Sequence, residues 1–327
     1  SWSVDVEDGT VLNLSYTIRL THDEYDWNLA GGQDARPSWV NGALFGITRA
    51  FFIYSYSDEE MTVRIDKPES WQMASPWQEV EGEENLFSVP NLDSLVSNVL
   101  VLGDFERLTA DNDEMQIIVA LDRDLSAYGN EFLGTIHTML DEYTRIFDGA
   151  PPTYIVAIRA ADEHDGESFY NSFNQVIMEE RLGGPRVIWA GVLSHELFHF
   201  WNGAHFLRAT DRTTAEWFNE GFTEYYTSLS LLRTGLIDVD TYYEKLGYYL
   251  SRYYMTTQRW PEERVSLVEA GQDKGANWFF LYGGGAVMAL ALDLDIREQT
   301  DGERSLDDVM GWLTERFSGV GQTYSVQ

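Results

Sequence analysis

Two histidines four residues apart with a glutamate after the first, His195-Glu196-Leu197-Phe198-His199, form an H-E-x-x-H sequence. On a helix, positions i and i+4 share a face, so both imidazoles can reach one metal ion while Glu196 stands beside it. The run from Val187 to Ser194 ahead of the motif, and Phe200-Trp201 after it, is apolar nearly all round, which predicts a buried helix. Burying two imidazoles and a carboxylate without partners is costly, whereas a bound cation would satisfy all three. A metal-free His-Glu-His network is the competing reading.

A catalytic zinc usually has three protein ligands and one open position. The segment that could supply the third contains Glu216, Glu220 and Glu224 at four-residue spacing. Like charges so spaced cost a helix roughly a few tenths of a kcal/mol per pair unless a cation faces them. Trp217, Phe218, Phe222, Tyr225 and Tyr226 are interleaved, which argues against a solvated acidic face and makes Glu220 the expected ligand. Glu224, one turn on, either accepts a hydrogen bond from a ligated imidazole or lies on the surface. His22 and His137 are expected to be solvated or packed, and His205 to sit in a loop near the active helix.

The elements that must position these residues fall into two textures. Val11 to Ile18 and Met61 to Ile65 alternate in polarity, and Gly42 to Tyr56 is rich in aromatic and β-branched residues. An amino-terminal antiparallel β domain over 1–108 is therefore expected. Met115 to Leu121 and Thr153 to Arg159 read as strands around a helical stretch at 131–147. From Val187 onward helical periodicity dominates, with helices expected at 187–202, 214–233, 240–256, 285–298 and 305–317. The expected class is α+β, with a mainly helical second domain over 109–327.

Charge narrows the partners. The 327 residues include 22 basic and 54 acidic side chains, a formal net charge of -32, which repels nucleic-acid phosphates and anionic membrane surfaces. Only Lys67, Lys245 and Lys274 are lysines, and the acidic, arginine-biased surface resembles those of salt-tolerant proteins, with an ordinary acidic protein as the equal alternative. Cysteine is absent, so disulfides and thiolate metal sites are excluded. No apolar run in the sequence reaches the ~18 residues of a membrane span, and no basic-then-apolar leader opens it. Periplasmic, secreted and cytoplasmic locations all stay open.

His195-Glu196-x-x-His199 with Trp201-Asn202, then Trp217-Phe218-x-Glu220-Gly221-x-Thr223-x-Tyr225-Tyr226, resembles the glycyl aminopeptidase family of gluzincin metallopeptidases. Tyr282-Gly283-Gly284-Gly285-Ala286 and Leu290 to Arg297 are similar to that family's segment bearing a catalytic tyrosine. The resemblance implies a β-rich domain, a thermolysin-like catalytic domain, and usually a carboxy-terminal PDZ domain, where this sequence reaches Gln327. It implies zinc on His195, His199 and Glu220, Glu196 as proton carrier and Tyr282 as donor to the oxyanion. It also implies a peptide substrate with a small amino-terminal residue, Gly or Ala. Two departures stand out. Gly284 occupies a position where the family commonly carries Lys, and the family's acidic amine-binding motif is replaced by Asp162-Glu163-His164-Asp165-Gly166-Glu167-Ser168. Glu167 is the expected amine ligand, with Glu163 as rival and a solvated charge run as the plainer reading. An endopeptidase that has lost its amine site, or an inert peptide-binding gluzincin scaffold, are the alternatives, and the intact Glu196 speaks against the second.

Overall fold

The computed structural model describes residues 11–20, 37–55, 60–111, 115–147, 153–162, 164–259, 265–318 and 322–326. Its amino-terminal part contains β1 (Ser38–Val40), β2 (Ala43–Ile47), β3 (Met61–Arg64), β4 (Gln72–Ala74), β5 (Gln78–Glu79), β6 (Leu86–Val89), the short helix α1 (Leu92–Val96) and β7 (Val99–Gly103). These strands form two antiparallel sheets, in the orders β1-β2-β7-β4 and β3-β6-β5. The expected alternating strand at Val11 to Ile18 is not one: the segment is exposed and joins no ladder, and Tyr16 donates to the Phe51 carbonyl at 2.7 Å. Its apolar positions have no sheet to lie on, so alternation alone could not make a strand.

A third sheet follows, from β8 (Glu106–Asp111), β9 (Gln116–Leu121), β10 (Thr153–Ala160), β11 (Asp165–Ser168) and β12 (Ser172–Ile177), with α2 (Gly129–Ile146) crossing between β9 and β10. Its order is β11-β12-β10-β9-β8, with a parallel centre and antiparallel edges. The domain boundary expected at 108/109 therefore falls inside β8, a strand of this sheet. Successive residues of the central strands serve different layers, as the two-residue period of a strand requires. Ile117, Val119, Tyr154 and Val156 join the helical core, while Ile118, Ala120, Ile155 and Ala157 pack with Phe45 and Val101 of the amino-terminal sheet.

The remaining chain is helical: α3 (Glu179–Leu182), α4 (Val187–Phe198), α5 (Arg212–Arg233), α6 (Val239–Tyr254), α7 (Leu267–Ala270), α8 (Lys274–Phe279), α9 (Gly285–Gln299) and α10 (Leu306–Phe317). The α+β class expected from the sequence holds. Among the features not expected from the sequence are the strands β11 and β12, the helices α1, α3, α7 and α8, and the end of the motif helix, which passes into a wider π-type turn at Phe200–Ala204. The stretch Leu267–Gln299 is long and apolar enough by composition to cross a membrane. In the fold it is divided among α7, α8, a π-type turn at Phe280–Gly284 and α9, and it packs backbone to backbone on α5.

Candidate active site

α4 is buried on nearly every side, against Tyr143, Trp201 and Leu207 among others, which fixes His195 and Glu196 on a rigid rod. His199 caps its carboxyl end. The following turn bends at Asn202 (φ -113, ψ 88) and Gly203 (φ 109), and a side chain is disfavoured at that positive φ. This bend aims the Asn202 carbonyl at the motif, where it accepts from His199 Nδ1 at 3.0 Å. The Nε2 lone pair of His199 is thereby turned inward. The Asn202 side chain in turn donates to the Phe218 and Asn219 carbonyls of α5 at 3.1 and 3.2 Å, tying the two helices together.

The inward atoms converge. His195 Nε2 lies 3.0 Å from His199 Nε2 and 3.2 Å from Glu220 Oε2, and one ligand atom from each of these three buried residues lies within 4.8 Å of the others. Three carboxylates, Glu220, Glu196 and Glu224, offset the effect of burial on His195 and push its pKa up to about 9. The pocket is thus short of positive charge, and two imidazole nitrogens plus a carboxylate oxygen are the donor set that zinc takes. The residues fit a zinc ion. Burial would raise Glu220, but Lys274, His199 and hydrogen bonds from the imidazoles hold it well below the usual carboxylate range.

Lys274, at the start of α8, donates to Glu220 Oε1 and lies 3.1 Å from Glu216 Oε2. Glu216 also accepts from Arg212 Nε at 3.0 Å. The three glutamates of α5 thus have separate partners: Glu216 the two cations, Glu220 the imidazoles and Lys274, Glu224 the far side of His195. Glu224 Oε1 stands 3.7 Å from His195 Nδ1, and its Oε2 accepts from Tyr249 at 2.5 Å.

Glu196 is buried beneath the edge strand β11. A Cβ on Gly166 would lie 2.8 Å from both Glu196 Cγ and Val192 Cγ1, so the strand approaches α4 only because that position is glycine. Burial pushes the Glu196 carboxyl upward, opposed by His195 and His199. Tyr282 enters from the π-type turn before α9. Its ring is parallel to that of His195, with centroids 5.9 Å apart, and its phenol feels the Glu220 carboxylate. Burial and the nearby Glu220 and Glu196 carboxylates keep that phenol protonated.

Glu167 lines the same cleft, a volume of about 320 Å³ that also borders His195, Glu196, His199 and Tyr282. Its side chain is 39% exposed and its nearest cation is Arg49, 3.8 Å away. The expected solvated charge run is therefore an edge strand over the site. Glu163 lies outside the described residues, as does His22. His137 is exposed beside Asp141, and His205 is packed between Phe200 and Tyr170. Sequence reasoning missed Arg208, Arg212 and Lys274, which also line the cleft. The i,i+4 spacing of Arg212 and Glu216 was a signal for the second of these.

A family model described as M61 glycyl aminopeptidase matches residues 189–282, the stretch that runs from α4 to Tyr282. That stretch is similar to the M61 glycyl aminopeptidases. The fold is that of the M1 zinc metallopeptidases. An aminopeptidase N family protein from Idiomarina loihiensis superposes with a TM-score of 0.71 at 20% identity, over 89% of this chain and 55% of that one. An M1 zinc metallopeptidase from Deinococcus radiodurans gives 0.56 at 20% identity, over 86% and 64%. Native yeast LTA4 hydrolase gives 0.60 at 14%, over 88% and 47%. This chain thus spans about half to two thirds of the length of the structures it matches. Comparison with curated protein sequences gives no match.

Proposed function

We propose that this chain is a zinc aminopeptidase that hydrolyses peptides with a small amino-terminal residue. The observation that carries the reading is the convergence of His195, His199 and Glu220 beside Glu196, in one cleft with Tyr282 and Glu167, within the stretch that matches glycyl aminopeptidases. His195, His199 and Glu220 would hold a zinc ion, which when bound would supply Lewis-acid polarisation of the scissile carbonyl and a lowered pKa for water. Glu196 takes the proton of the attacking water and returns it to the leaving amine as the C–N bond breaks. Tyr282, kept protonated by its surroundings, donates to the oxyanion that forms on the carbonyl oxygen. Glu167 pairs with the substrate ammonium and so positions the first peptide bond. Glu224 orients His195 from behind.

The exposure of Glu167 and the presence of Arg49 beside it favour a second reading, an endopeptidase with a weak amine site. Metal analysis and a pair of substrates test both. Native protein should hold one zinc per chain and His199→Ala should lose it, while Glu196→Gln should keep zinc and fold but lose most turnover. Equal zinc in native and His199→Ala protein would remove the ligand assignment. Free-amine glycyl or alanyl substrates should be cut and their acetylated forms spared; equal cleavage of both makes the enzyme an endopeptidase.

A further inference from the structure

In a chain of net charge -32, cations are scarce, yet Arg208, Arg212 and Lys274 all line the one cleft that contains the ligand triad. They are placed at different depths. Lys274 is the deepest, held between Glu216 and Glu220, with its Nζ 5.7 Å from the centre of the Tyr282 ring. Arg212 opens α5; its side chain is 69% exposed and, among the described residues, its hydrogen bond is made by Nε alone, to Glu216. Arg212 lines the cleft, and a guanidinium's planar fork suits a carboxylate. Arg208, 42% exposed, is paired through Nη2 with Asp93, itself 52% exposed, a surface pair of little strength.

Glu216 explains why Arg212 stays in place without being neutralised. Its buried carboxylate is shared with Lys274, so it orients the guanidinium through one nitrogen and leaves the others for a ligand. Cationic side chains at the mouth of a cleft that also holds a metal site repel a substrate's cationic groups and attract its anionic ones. Glu167, on the edge strand β11, lines the same cleft, within reach of the Arg212 charge. The cleft thus offers a partner of opposite sign to each of the two charges that a short peptide carries, an ammonium and a carboxylate.

We propose that Arg212, supported by Arg208, binds a carboxylate of the substrate on the leaving-group side of the scissile bond, which makes short free-acid peptides or peptides with an acidic second residue the preferred substrate class. The inference rests on the peptidase reading above and extends it to the leaving group. The carboxylate has two sources, the free carboxy terminus of a dipeptide and an Asp or Glu side chain, and the two are separable by amidation.

Four substrates with alanine first decide the matter: alanyl-alanine as free acid and as amide, and alanyl-aspartyl amide with alanyl-asparaginyl amide. The free acid should exceed its amide in kcat/KM by about tenfold or more, the effect of one charge-assisted hydrogen bond, mostly through KM. A preference confined to the aspartyl amide assigns the site to a side chain instead. Arg212→Gln should bring the acid-to-amide ratio toward one, and Arg212→Lys should restore part of it. Because Arg212→Gln also removes a partner of buried Glu216, Arg208→Gln, which disturbs only an exposed pair, is the second variant and should lower the ratio in the same direction. Calorimetric titration of zinc-loaded Glu196→Gln protein with the free acid and the amide reads the same preference as binding, without turnover. Equal rates and equal binding for acids and amides would overturn the proposal. Cleavage of acetylated peptides with the acid preference intact would overturn the aminopeptidase reading alone.

Discussion

His199 is held by a backbone carbonyl and His195 faces a glutamate, so each imidazole presents Nε2 inward, an arrangement that suits a pair of metal ligands. The pair was legible in the sequence because i,i+4 spacing needs only a helix. The partners were not, since Lys274 reaches Glu220 and Tyr249 reaches Glu224 across 54 and 25 residues. His205 shows what burial does to a histidine without such partners. Packed on Phe200 and Tyr170 near Arg208, its pKa is lowered to about 4, chiefly by burial, with Arg208 adding to the effect and a hydrogen bond at Tyr170 opposing it. The unfolded chain then binds this proton more tightly, with a reference pKa of about 6.5. The contribution of neutral His205 to stability is therefore complete above that value and is lost as pH falls toward about 4. Thermal melts of the native protein and of His205→Phe should diverge in slope across that window, the native losing stability faster as acid is added. Parallel curves would mean that His205 titrates as it does in water.

At the scale of elements, the ligand helix and the tyrosine turn are joined by glycines. A Cβ on Gly221 of α5 would lie 2.2 Å from Gly285 Cα, and one on Gly285 would lie 2.2 Å from the Trp217 carbonyl oxygen. The glycine run after Tyr282 is therefore a contact surface. Such backbone proximity was invisible in the sequence, where the same run also hid the helical character of 267–284 behind aromatic and glycine residues. The strands β11 and β12 were missed for another reason: one is an edge strand with intermediate or exposed residues, the other a strand buried on both faces, and neither alternates. Gly221→Ala must push α5 and α9 apart, a change that typically costs about 1–3 kcal/mol, and it should misplace Tyr282 relative to Glu220. The variant should melt at lower temperature and show reduced kcat with zinc retained. Gly247→Ala on α6, where an added Cβ meets nothing within 4 Å, should be neutral or stabilising by up to about 1 kcal/mol. Equal stability of the two variants would refute the close-contact account.

For the molecule as a whole, charge is the property that the sequence displayed most directly and that the fold redistributes. Arginines and one lysine are drawn to the cleft and to internal networks such as Arg145 and Arg233 with Glu142 and Asp307, and the excess of acid is left over the rest of the chain. Those ion pairs are short and in part sheltered, whereas repulsion among exposed carboxylates acts over many longer distances. Salt discriminates between the two, because the screening length falls from about 10 Å at 0.1 M to about 3 Å at 1 M. Pairs near 3 Å with buried members, such as Arg145 with Glu142 at 2.9 Å, keep most of their attraction, while the dispersed repulsion is lost. The melting temperature should therefore rise by several degrees between about 0.05 and 1 M NaCl, and the rise should be steepest at the low end. Sucrose at matched water activity separates screening from general exclusion of solute, since it raises stability without altering charge interactions. A melting temperature that falls with NaCl, or a gain no larger than sucrose produces, would show that the attractive pairs outweigh the repulsion and that the acidity of this surface has no cost in the folded state.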